Sequence, residues 1–103
     1  MRAFVTGGSG HVGGNLVREL LSRDYEVDCL VRSDTRALDN LDVNYVNGNM
    51  LNPSEMIPLM EGCDVVFHSA AFVAVEKVKE DLMRKINVEG TKSIATAAID
   101  SGV

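Results

Sequence analysis

The chain has 103 residues, 46% of them apolar and 24% charged, and its ten Lys and Arg against fifteen Asp and Glu leave a net charge of −5 at pH 7. That length allows one domain, which would bury roughly 65% of the surface its unfolded chain exposes, and the composition is globular rather than that of a disordered tail or a membrane protein. An acidic chain with pI near 4.8 does not suit nucleic acid, whose phosphates demand clustered Lys and Arg. No run approaches the ~18 apolar residues of a membrane span and no signal-like stretch precedes the first turn, so a cytoplasmic location is expected.

In chain order, residues 2–7 (RAFVTG) predict strand one, and 11–23 (HVGGNLVRELLSR) predict helix one with Val12, Leu16, Val17, Leu20 and Leu21 on one face. Residues 25–32 (YEVDCLVR) and 43–48 (VNYVNG) predict strands two and three, separated by the polar SDTRALDNLD with room for one helical turn. Asn52-Pro53-x-Glu55 has the form of a helix start, with Asn52 as N-cap, Pro53 at the first position and Glu55 reaching back as in a capping box. Pro58 removes a backbone hydrogen bond and crowds the preceding turn, so the helix over 53–61 should be short or kinked and end at Gly62. Residues 63–70 (CDVVFHSA) predict strand four, and a long helix over 80–100 carries Leu82, Ile86, Ile94, Ala97 and Ala98. Gly90 interrupts that face at a cost of about 1 kcal/mol relative to alanine, which a close neighbour would explain.

Strands separated by helices imply parallel pairing with right-handed crossovers, and hence an α/β, doubly wound sheet. Cys29 and Cys63 lie inside apolar runs without a CxxC pair and read as buried free thiols, so neither a disulfide nor a metal site is expected. Met50, Met56, Met60 and Met83 read as core filler. The basic cluster Lys77, Lys79, Arg84 and Lys85 is interleaved with Glu76, Glu80, Asp81 and Glu89, the pattern of a solvated helix face.

The stretch VTGGSGHVGG at 5–14 holds five glycines between strand one and helix one. Such a turn sets the first free N–H groups of a helix, and the positive end of its dipole, at the carboxyl edge of the sheet, where they bind anions. Gly8-x-Gly10-x-x-Gly13 matches the dinucleotide fingerprint, and Gly7-x-x-Gly10-x-x-Gly13 a longer variant of it. Without a following Gly-Lys-Ser/Thr, a P-loop is excluded. The acidic residue that holds the ribose of NAD belongs at the end of strand two. Asp28 has the expected spacing from Gly8, but three residues before Val31 it would lie roughly 10 Å down the strand from the ligand edge, and it reads as structural. The carboxyl end offers Arg32 and Ser33 instead, and Arg32 suits a 2′-phosphate, which favours NADP over NAD.

With TGGSGHVG, the Val-Arg after strand two, HSAA after strand four and NVEGT in the last helix in view, the chain resembles the extended short-chain dehydrogenase/reductases. It is most similar to the NAD-dependent epimerase/dehydratase branch, which includes sugar epimerases and dihydroflavonol reductases. The resemblance implies a Rossmann-type sheet of order 3-2-1-4. It implies that Gly7, Gly10 and Gly13, with the backbone of His11 and Val12, cradle a pyrophosphate while Arg32 and Ser33 lie by the adenosine ribose. The family has Asp and an apolar residue after strand three; here Asn49 and Met50 stand there, and an amide oxygen still accepts from the adenine amino group. Ser69, Ala70, Ala71 and Val73 would line the path to the nicotinamide ribose, and Asn87 would brace that loop. His68 reads as a strand-end histidine held by a backbone partner rather than a proton-transfer group.

The family's chemistry uses a tyrosine whose acidity is raised by a lysine four residues on. At that spacing Tyr25 is followed by Cys29 and Tyr45 by Asn49, so no catalytic residue is assigned. The expectation is the N-terminal part of a larger enzyme, a single NAD(P)-binding domain over 1–103 that is inactive alone and acts in the whole enzyme by hydride transfer on a sugar nucleotide or a small carbonyl or alcohol. The alternative is a standalone nucleotide-binding or redox-sensing module. An apolar outer edge on strand four predicts a homodimer or other self-association.

Overall fold

The structure, a computed structural model, describes residues 1–8, 11–31, 36–70 and 80–103, without the side chains of His11 and Ala37. Four strands, β1 (Arg2–Thr6), β2 (Glu26–Leu30), β3 (Asn44–Val46) and β4 (Val65–His68), alternate with helices α1 (His11–Ser22), α2 (Pro53–Met60) and α3 (Glu80–Ser101). A 3-10 turn, Arg36–Leu38, lies between β2 and β3. All pairings are parallel, in the order β3-β2-β1-β4. That is the Rossmann-type order expected, and β1 is central in it.

The period-two alternation of β1 explains the layers. Ala3 and Val5 point to one face, where they meet Val17 and Leu20 of α1, Val27, Cys29 and Val31 along and after β2, and Leu38. Phe4 points to the other and is buried with Met56 and Met60 of α2, Cys63, and Ile94 and Ala97 of α3. Helices thus cover both faces, and full burial of a side chain such as Phe4 stabilises by roughly 2–3 kcal/mol. Cys29 and Cys63 are buried free thiols. No helix among the described residues is long and apolar enough to cross a membrane.

Several local expectations need correction. Val12 is 71% exposed and Leu82 48%. Both sit in the first turn of their helices, Val12 in α1 and Leu82 in α3. Asn52 does cap α2, accepting from Ser54 N at 3.1 Å, but the capping box is not formed, because Asn52 N already donates to Asn49 O at 2.9 Å. With Pro58 inside it, α2 is short, eight residues from Pro53 to Met60, as expected. Gly90 has the close neighbour its cost implied: a Cβ there would stand 2.8 Å from Met50 Cε.

Asp28 is buried at mid-strand, 6% exposed. It accepts from Asn44 Nδ2 at 3.0 Å, from Arg2 Nη1 at 3.4 Å and from Cys63 Sγ at 3.8 Å. These contacts tie β1, β2, β3 and the approach to β4, the structural role read from its position.

Candidate dinucleotide-binding site

Two glycines draw three elements together at the carboxyl edge of β1. Gly7 takes φ +73°, a left-handed backbone that favours glycine, and a Cβ on it would stand 2.6 Å from Ala70 N and 2.7 Å from Ser69 C. A Cβ on Gly13 would run into the carbonyl of Gly7, 2.6 Å from its carbon. Side chains at these positions would force the turn away from both the end of β4 and the first turn of α1. Bare backbone is what lets the start of α1 stand over the crevice between β1 and β4.

Thr6 fastens that crevice. It is completely buried, and its carbonyl accepts from Ser69 N at 3.2 Å and from Ser69 Oγ at 2.5 Å. Its hydroxyl accepts from Ala70 N at 3.2 Å and lies 2.6 Å from His68 Nδ1. Donation of the hydroxyl proton to Nδ1 leaves the Thr6 oxygen free to accept from Ala70 N, so both donors at this point have an acceptor. On that network His68 is assigned as neutral with its proton on Nε2. Burial holds its pKa below the usual histidine value, in keeping with a ring that accepts. The expected backbone partner of His68 is therefore a side chain, Thr6 Oγ1. Thr6 itself was not singled out in the sequence, although a hydroxyl closing an apolar strand must find partners when buried.

The other expected site residues fall as follows. His11 and Val12 open α1 at the glycine turn. Asn49 and Met50 lie beyond the carboxyl end of β3, in a turn where Asn49 Oδ1 accepts from Leu51 N at 2.9 Å. Asn87 lies in α3, and its carbonyl accepts from Thr91 Oγ1 at 2.8 Å. Gly10, Arg32, Ser33, Ala71 and Val73 lie outside the described residues. The structure thus brings Gly7, Gly13, Ser69 and Ala70 into one cluster, and sets Asn49 and Met50 beyond the end of β3, two strands over from β1, with Met50 packed toward α3.

A concavity of about 440 Å³ lies at the opposite, amino-terminal edge of the sheet, with Arg2, Asp24, Tyr25, Glu26, Asp42 and Asn44 in its lining. Its three carboxylates face one cation, Arg2, which already pairs with Glu26 at 2.7 Å and Asp28 at 3.4 Å. That rim repels a pyrophosphate, and volume is a poorer guide here than the glycine cradle. Tyr25 borders this far edge, and Tyr45 points its hydroxyl at Leu38 O, 3.5 Å away. Neither tyrosine meets the β1–β4 crevice.

A doubly wound parallel sheet whose glycine turn carries a helix N-terminus over the crevice beside its central strand defines a Rossmann-type domain. The chain belongs to the NAD dependent epimerase/dehydratase family, whose model matches residues 3–103. It is 36% identical over 105 residues to sterol demethylase protein B of Methylococcus capsulatus, covering 100% of this chain and 32% of that protein. Similarity to a 4-hydroxy-2-methyl-3-oxo-4-farnesyl-3,4-dihydroquinoline-1-oxide ketoreductase of Stigmatella aurantiaca is 37% over 105 residues, covering 100% and 31%. Among solved structures, the dTDP-glucose 4,6-dehydratase DesIV of Streptomyces venezuelae, a double mutant with NAD and DAU bound, superposes with a TM-score of 0.83 at 28% identity, covering 100% and 37%. The chain spans about a third of the length of these relatives.

Proposed function

We propose that this chain is the nucleotide-binding portion of an NAD(P)-dependent epimerase, reductase or dehydratase, and that it binds NADP in preference to NAD. The observation that carries the reading is the convergence of Gly7, Gly13, Ser69 and Ala70, where a single added Cβ would close the space between glycine turn and strand end. Residues at Gly7–Gly13 donate backbone N–H groups to the pyrophosphate, and the dipole of α1 favours its charge. Ser69 and Ala70, held by Thr6, face the nicotinamide ribose, with Ala71 and Val73 beyond them and Asn87 bracing the segment. Asn49 and Met50 receive the adenine; Arg32 and Ser33 receive the ribose, where the guanidinium of Arg32 forms charge-assisted hydrogen bonds to a 2′-phosphate. When bound, the nicotinamide supplies the hydride donor or acceptor for a sugar nucleotide or a small carbonyl or alcohol. The protein's part here is to bind and orient it.

β4 pairs with β1 alone among the described residues, and this open edge supports self-association of the chain; sedimentation as a monomer at tens of micromolar would overturn that point. Calorimetric titration with NADP⁺ and NAD⁺ in parallel tests the main reading. NADP⁺ should bind more tightly, and Arg32→Ala should erase the difference. Tighter binding of NAD⁺ overturns the cofactor preference, and binding of neither by the folded protein overturns the nucleotide reading.

A further inference from the structure

We infer that Gly90 of α3 is a positioning residue for the adenine end of the dinucleotide, acting through Met50; this rests on the nucleotide reading above. Met50 lies just past the carboxyl end of β3, beside the end of β2, where Val31 N donates to Val46 O at 3.0 Å. In open α/β sheets ligands bind outside these strand ends. The chain on either side of Met50 is tied down: Asn49 Oδ1 accepts from Leu51 N, and Asn49 O accepts from Asn52 N, both at 2.9 Å. The backbone cannot easily carry Met50 away, so what lies beneath the side chain sets where its tip stands.

Beneath it is Gly90, buried on the face of α3 that also buries Ser93, Ile94 and Ala97. Positive φ among the described glycines is confined to Gly7, Gly62 and Gly102, so Gly90 has ordinary helical backbone and conformational freedom does not account for it. Space does. A Cβ there would stand 2.8 Å from Met50 Cε, 3.7 Å from its Sδ and 3.8 Å from Leu51 Cδ2. The first of these is closer than real contacts allow, and the atom struck is the end of a flexible side chain. Alanine at 90 would therefore leave the helix intact and push the Met50 thioether outward, into the volume the adenine would use.

The test is binding of ADP-ribose, which carries the adenine end without nicotinamide, to the wild type, Gly90→Ala, Met50→Ala and the double variant. Gly90→Ala should weaken ADP-ribose about three- to tenfold with its thermal unfolding midpoint held or raised. In the Met50→Ala background the same substitution should cost nothing further, because the struck atom is gone. Equal affinity of wild type and Gly90→Ala, or an equal loss in both backgrounds, would overturn the inference. A purely structural role would move the unfolding midpoint and leave the ADP-ribose affinity and its coupling to position 50 unchanged. If Gly90→Ala fails to fold, the double variant decides: with the struck atom gone it should fold and bind ADP-ribose as Met50→Ala does, and failure to fold or a weaker affinity than Met50→Ala would overturn the inference. A folded wild type that binds no ADP-ribose would overturn the nucleotide reading, and this inference with it, and is distinct from binding that ignores Gly90.

Discussion

Replacing Thr6 by valine keeps its volume and removes one oxygen. Thr6 is fully buried, and the lost hydroxyl joins Ala70 N at 3.2 Å and His68 Nδ1 at 2.6 Å. Each hydrogen bond is worth a net 1 kcal/mol or so, and an orphaned buried group costs about 1–3 kcal/mol. Ala70 and His68 are half-buried, so water recovers part of that penalty and the expected loss is about 2 kcal/mol. The two bonds from Ser69 go to the Thr6 carbonyl and survive, so the end of β4 loosens without detaching. Urea unfolding measures the stability, and titration with NADP⁺ should show weakened binding beyond what global destabilisation explains. Thr6→Ser should recover most of both. A Thr6→Val protein that loses less than about 0.5 kcal/mol, the range of neutral surface substitutions, and binds as before would refute the reasoning.

The lowered pKa of His68 fixes the sign of a pH effect. The unfolded chain takes up the proton first as pH falls below about 6.5, so the neutral ring's contribution is intact at higher pH and is lost on acidification until the folded form also protonates. His68→Asn, which keeps an acceptor at the δ position, should flatten the dependence of unfolding free energy on pH between about 7 and 5.5 relative to wild type; parallel curves would contradict the assignment. Burial, with the charge of Asp28 second, pushes the Cys29 and Cys63 thiols up to about 11. At pH 8 both should react with a thiol reagent about 100-fold more slowly in the folded protein than after unfolding, and rapid labelling of either in the native state would refute the burial account.

The alternation of short apolar runs with helix-like segments was enough to predict a parallel α/β sheet, and the order of its strands came from the family resemblance; that β1 is buried on both faces, as Ala3, Phe4 and Val5 show, fits its interior place. The glycine turn was equally legible, since Gly7 and Gly13 have steric reasons that no other residue type meets. Side-chain networks were harder. The role of Thr6 depends on the end of β4, 62 residues away in sequence at His68, coming alongside it, and no local pattern marks that meeting. Asn52 and Glu55 match a capping box, yet the carbonyl of Asn49 took the N–H that Glu55 would have reached. Val12 and Leu82 keep the helical period but are exposed, and periodicity carries no information about where a neighbour stops. Gly90 was visible as a cost, and its beneficiary, Met50, only in three dimensions.

The central claim is that the dinucleotide lies over the β1–β4 crevice at the carboxyl edge of the sheet. Amide chemical-shift mapping on addition of NADP⁺ tests it most directly. The account predicts perturbations concentrated at Gly7, Gly8, His11, Val12, Gly13, Ser69 and Ala70, with a second group at Asn49 and Met50. Perturbations gathered instead around Arg2, Tyr25 and Asp42, at the far edge of the sheet, would contradict it.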